Sequence, residues 1–214
     1  MRKTDDVIDS LVSDLEPVPR QALRRRFALG ILPALCISLL LMLVIVGLRV
    51  DMAEALMLPV FWIKSAYNAL IALTAFLTVY QLARPDGSEG RFFSLLVSIF
   101  AAMAAIACIQ LAIAPPENYR VLIVGSSALH CPLLIFGFAL PVFAGTTWVL
   151  RHGAPTKLRL TGFVAGLAAG AAGAWVYSWF CTENGMPFVL IWYSIGILLT
   201  GALGALTGPR LLRW

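Results

Sequence analysis

Charge is scarce in this chain: 13% of its 214 residues are Asp, Glu, Lys or Arg, against about a quarter in an ordinary soluble domain. No charged side chain interrupts residues 92–116, 121–150 or 160–182, and a soluble fold cannot be built from such runs. Carboxylates are missing from the apolar runs, so the buried acids and interrupted helices that mark an ion or metal transport pathway are absent too. There are 2 histidines and 4 cysteines, with no Cys-x-x-Cys pair. That excludes a zinc ribbon and a thioredoxin-type motif and leaves the meaning of the thiols to topology.

What the chain has in abundance is oil: 60% of its residues are hydrophobic and its mean hydropathy is +0.88. The expected fold class is all-α, a polytopic membrane protein in which a bundle of six helices fills residues 27–208, with spans at about 27–48, 58–82, 92–114, 129–150, 160–180 and 188–206. The net charge of +5 does not indicate nucleic acid, because the basic residues recur at the ends of apolar runs. Arg20, Arg24, Arg25 and Arg26 precede the first span; Arg84, Arg91, Arg151, Lys157, Arg159, Arg210 and Arg213 fall in loops and a C-terminal tail, 209–214, that lie on the same side as that cluster. The opposite loops hold only Arg49 and Arg120, so both termini are expected in the cytoplasm, with the first span a retained signal anchor.

The tail, residues 1–26, is the only sizeable polar segment. Val7, Ile8, Leu11, Val12 and Leu15 recur at helical spacing, with Asp5, Asp6, Asp9 and Asp14 on the remaining arc. Thr4 is a suitable N-cap, and Pro17 and Pro19 end the pattern. A helix this short is marginal alone in water and orders against a partner surface. Membrane-surface helices carry Lys and Arg on their polar face; this one carries aspartates, which favours a protein partner, the alternative being an inert tail.

Candidate chemistry gathers around His130-Cys131-Pro132. Counting back about 20 residues from Leu150 places the start of the fourth span there, with Pro132 in the first turn, where its missing N–H is harmless. Pro141 is expected to kink the interior. Cys181 lies just past the fifth span, beside Thr182 and Glu183, on the same outer face. Two thiols in an oxidising compartment can form a disulfide; reduced, they can hold a thiophilic metal transiently, with His130 and Glu183 as further donors, or they can be ordinary packing residues. On a regular helix, residues 130 and 131 point about 100° apart, so His130 and Cys131 share one ion only at an irregular helix end. No resident cofactor is expected. Cys36 and Cys108, each amid apolar residues, are read as buried packing thiols. Lys64, after Phe61-Trp62-Ile63, is either a functional intramembrane charge or a side chain that snorkels to the outer interface. Gly162, Gly166, Gly170 and Ala174, with Gly196, Thr200, Gly204 and Gly208, are read as tight packing between the last two helices ahead of a dimer seam.

Taken in order, the tail Asp5 to Leu11 leading to Leu15-Glu16-Pro17-Val18, Phe61-Trp62-Ile63-Lys64, Ala83-Arg84-Pro85, His130-Cys131-Pro132, Arg151-His152-Gly153-Ala154-Pro155, the glycine-rich fifth span, Cys181 and Trp192-Tyr193 resemble the NrsF family of bacterial inner-membrane anti-sigma factors. The resemblance covers nearly the whole chain. It implies that the cytoplasmic tail binds an extracytoplasmic-function (ECF) sigma factor, with Val7, Ile8, Leu11, Val12 and Leu15 as the contact stripe, and that the protein is not an enzyme. It also implies that Cys131 and Cys181 match the family's paired cysteines, associated with heavy-metal or oxidative stress; Cys36 and Cys108 stand outside that pattern. The alternatives are a thiol oxidoreductase passing electrons to quinone, which usually relays through a second exposed cysteine pair, and a small metal transporter.

Overall fold

The computed structural model describes residues 21–84 and 90–213, together with Thr4 and Ser13. The stripe from Val7 to Leu15 lies outside the described residues. Among those described there is no strand, and 6 helices are long and apolar enough to cross a membrane: α1 (Ala22–Ile45), α2 (Pro59–Leu82), α3 (Gly90–Ile113), α4 (His130–Leu150), α5 (Leu158–Ser178) and α6 (Met186–Leu211).

Their boundaries follow local chemistry more than hydropathy. α1 opens at Ala22, before the expected 27, because Leu23 and Arg24 to Arg26 are strong helix formers. It is released by Gly47, whose φ of 77° lies in the left-handed region. Pro59 supplies the first turn of α2. α4 starts at His130, with Pro132 buried in its first turn. α6 begins behind an extended Gly185, widens to a π-helical turn over Val189–Tyr193 and runs on to Leu211, past the expected 206, carrying Pro209 inside its last turn.

α5 is the axis of the bundle. Of its most apolar stretch 78% is buried, against 17% for α1 and 11% for α3, which are peripheral. It packs against α6, α4 and α2, while α1 lies on α4 and α3 on α2. Small residues explain the position: a Cβ built on Gly162 would meet the Gly204 carbonyl oxygen and one on Gly166 the Thr200 carbonyl oxygen, so only glycine allows the α5 and α6 backbones to touch. Pro141 deprives the Gly137 carbonyl of its helical donor, and next to it Ser38 of α1 donates 2.7 Å to the Phe138 carbonyl.

Successive helices alternate in direction, so the bundle has two ends. At one, where α1 starts, Ala154 N–H donates to the Ala83 carbonyl at 2.9 Å, Arg151 Nε to the Leu211 carbonyl at 2.7 Å, and Arg26 to the His152 carbonyl at 3.4 Å. This is the tail end. The other carries Cys131 and Cys181 and is the thiol end.

Candidate functional site

α5 stops at Ser178, and the carbonyls beyond its last turn have no intrahelical donors. Two cations fill that role. Lys64, on α2 and completely buried, donates through Nζ to the Cys181 carbonyl at 2.7 Å and the Glu183 carbonyl at 3.1 Å. Arg49, 5% exposed in the α1–α2 connection, reaches the same Cys181 carbonyl at 3.4 Å. Both positive charges complement the negative end of the α5 dipole. Arg49 is also gripped by Asp51, Nε to Oδ1 at 2.7 Å and a second nitrogen to Oδ2 at 2.6 Å. This two-pronged hydrogen bond holds the Asp51 carboxyl below its usual range and raises the guanidinium further, against the desolvation of each.

The opposite side of the 181–186 segment is latched as firmly. Glu183 Oε1 accepts from Ser126 N–H and Ser126 Oγ, each at 2.7 Å, and from Ser127 Oγ at 3.3 Å. Gly125 makes this approach possible twice over: its φ is +57°, and a Cβ there would sit 2.6 Å from the Glu183 carboxyl carbon. From α3, Gln110 accepts the Met186 N–H at 2.6 Å and donates to the Asn184 carbonyl at 3.4 Å. Trp192 of α6 donates to the Ile123 carbonyl at 2.9 Å, fixing the strap before α4.

Beneath this cap lie the thiols. Cys131, in the first turn of α4, has no exposure, and Cys181 has 3%. Both are free, and each is an electrostatic neighbour of the other and of Tyr177 and Tyr193. The two tyrosine rings stand 5.7 Å apart, and the buried Tyr193 hydroxyl faces Cys181. Electrostatically, Lys64 also faces Cys181, Cys131 and Glu183.

His130 is exposed while Cys131 is buried, so the imidazole lies on the other side of the turn. Lys64 does not snorkel; Trp62 occupies the surface instead, its indole N–H on the Leu56 carbonyl at 3.0 Å. Cys36 and Cys108, expected to be buried, are both exposed. They sit on the peripheral helices α1 and α3, where the lipid-facing side is as apolar as the core and composition does not separate the two. Arg49, Gln110, Ser126 and Ser127 were not singled out by sequence. The Arg49-x-Asp51 spacing in a short connection and the lone amide near the end of α3 were the available signals.

Among the described residues no group of three or more His, Cys, Asp or Glu is placed to hold an ion. With Glu183 engaged by Ser126 and Ser127 and His130 turned away, the donor set is the two thiols, which suits a soft, low-coordinate thiophilic ion and not a hard or four-coordinate one.

A family model described as "Negative regulator of sigma F" matches residues 11–214 of this chain. The probable anti-sigma-F factor NrsF of Azospira oryzae is 37% identical over 212 residues, 99% of this chain and 100% of that protein. The anti-sigma-F factor NrsF of Caulobacter vibrioides is 37% identical over 218 residues, again 99% of this chain and 100% of the relative. No solved structure matches.

Proposed function

The chain belongs to the NrsF family, negative regulators of sigma F, and from that membership we propose that it is an anti-sigma factor anchored in the bacterial inner membrane. Its N-terminal segment holds an ECF sigma factor away from core RNA polymerase through Val7, Ile8, Leu11, Val12 and Leu15. Cys131 and Cys181 are the input, reacting with a thiophilic metal or an oxidant, and the bundle converts that reaction into release. The whole-chain match supports the anti-sigma role.

The observation that carries the sensor half is the placement of both thiols, buried together beneath the latched 181–186 segment, at the end of the bundle opposite the root of the tail. The exposed cations support the orientation: Arg24, Arg25, Arg26, Arg151, Arg210 and Arg213 stand at the tail end, while at the thiol end Arg49 and Lys64 are buried and Arg120 is the exposed one. Cys36 and Cys108, exposed on separate peripheral helices, do not supply the second cysteine pair that a quinone-linked relay needs.

The test is capture of a sigma factor by the full chain, compared with a Leu11→Asp, Leu15→Asp variant and a Cys131→Ser, Cys181→Ser variant. The first is expected to lose the sigma factor at normal protein level, and the second to keep it after cadmium or peroxide treatment. Retention by the tail variant removes the contact stripe, and normal release by the cysteine variant removes the sensor.

A further inference from the structure

The thiol pair and the root of the tail lie at opposite ends of the bundle, and the helices between them differ in how they transmit displacement. A helix moves as one rigid rod most readily where no proline or π-turn gives it a place to kink. α4 is interrupted at Pro141, α1 at Pro33, and α6 by its π-helical turn and Pro209; α5 carries the glycines that seat it on α6. α3 also lacks proline but is peripheral, with 11% of its apolar window buried; α2 has no proline after Pro59 and no glycine from Pro59 to Leu82, and half of its apolar window is buried.

Both ends of α2 are tied to the relevant places. Near its start, Lys64 holds the carbonyls of Cys181 and Glu183, and one residue on Ser65 Oγ accepts the Trp175 indole N–H of α5 at 3.0 Å. At its far end Tyr80 packs edge-on against Phe27 of α1, ring centroids 5.1 Å apart, directly after Arg24, Arg25 and Arg26. Arg84 braces that ring, 4.7 Å from its centroid and 2.7 Å from its hydroxyl. Ala83 accepts from Ala154, whose loop carbonyl at His152 accepts in turn from Arg26.

We infer that α2 carries the state of the Cys131 and Cys181 pair to the root of the N-terminal segment, with Lys64 as the positioning residue that reads the pair and Tyr80 as the contact that delivers the change. This rests on the reading of the thiols as input and the tail as output. The physical reason is the burial of Lys64: an ammonium shielded from water cannot give up its carbonyl acceptors cheaply. When the Cys181 backbone shifts to accommodate a change at its thiol, Nζ follows and the uninterrupted helix moves with it. The state of the pair is set for the test by diamide. The two thiols form one S–S bond, and the N=N bond of the reagent takes up both electrons and both protons.

The experiment is amide hydrogen exchange on the full chain in nanodiscs, with dithiothreitol or diamide, and with disulfide formation counted by mass. Cys36→Ser and Cys108→Ser are present throughout. With Lys64 and Tyr80 intact, diamide is expected to change exchange at residues 22–27 and 150–156 by about tenfold, within the usual range of coupling between sites. Lys64→Met still forms the disulfide, but its response falls below about twofold, and Lys64→Arg restores most of it. Tyr80→Ala, which leaves the thiol end untouched, also loses the response, and decides the matter should Lys64→Met fail to fold. A full response in Lys64→Met or Tyr80→Ala, or none in the parent, overturns the inference. A chain that keeps the Lys64-dependent response yet captures no sigma factor retires the anti-sigma reading and leaves the role of α2 standing.

Discussion

The two ends of the bundle are held by different forces. Toward the tail end, α5 and α6 meet backbone to backbone, Gly162 on Gly204 and Gly208 on the Leu158 carbonyl, and the cations there, Arg24 to Arg26, Arg151, Arg210 and Arg213, are exposed. At the thiol end the helix termini are bridged by hydrogen bonds to one short segment, 181–186, from Lys64, Arg49, Gln110, Ser126 and Ser127, and two of the cations are buried. A glycine seam gains its energy from many weak contacts and offers nothing for a reagent to act on. A cap of a few polar bonds can be altered one bond at a time. The two thiols therefore lie at the end whose contacts can be altered one at a time, beyond a half that stays zipped.

The largest expected effect strikes the zipped half. Gly166→Leu drives a side chain into the Thr200 carbonyl and the Gly201 Cα, both backbone, so neither can step aside by changing rotamer. A destabilisation of about 3 kcal/mol or more is expected, read as loss of the folded band and of the unfolding transition in detergent titration. A mild effect there would mean that the seam is not the rigid part. Next comes the latch. Glu183→Ala strips the Ser126 N–H and both serine hydroxyls of their acceptor, for about 1–3 kcal/mol. Glu183→Gln, which keeps a carbonyl acceptor, is expected to lose about half as much. In contrast with Gly166→Leu, the Glu183 variants should still fold and should show faster exchange confined to 122–131 and 181–186. Exchange spreading through the whole bundle would erase the distinction between the two ends.

Much of this was legible in residue order. Six spans, the α5–α6 seam from Gly162 to Gly208, and the shared face of Cys131 and Cys181 all follow from hydropathy, spacing and alternation of direction. What could not be read were the long-range polar contacts. Lys64 finds its acceptors 117 and 119 residues away, and Gln110 donates across 74; nothing local distinguishes such a lysine from one that snorkels. Arg49 looked like a loop charge because burial depends on the Cys181 carbonyl and Asp51 closing over it. The side of α1 or α3 that faces lipid is equally hidden, since lipid and core demand the same apolar residues, and so the exposure of Cys36 and Cys108 is not legible in the sequence.

The smallest effect separates the two kinds of cation. Asp51 is held below its usual value by Arg49, and a carboxyl whose folded pKa is depressed stabilises the fold above its unfolded pKa of about 3.9, losing that contribution as pH falls through the lower folded value. Arg49 stays protonated throughout, being raised further by the same bond. The pair is therefore constant from about pH 5 upward and fails only in acid. Asp51→Asn is expected to lower the unfolding midpoint slightly at pH 6, because the Asp51 side chain is 43% exposed and water replaces much of what is lost. In acid below the folded value of the Asp51 carboxyl the variant and the parent should converge. Arg151→Gln at the tail end provides the contrast: its hydrogen bond to the Leu211 carbonyl is exposed and has no titrating partner in it, so its effect should be the same at both pH values. If the Asp51→Asn difference instead persists unchanged into acid, the Arg49 guanidinium is being held by the Cys181 carbonyl alone, and the carboxylate has no part in closing the cap.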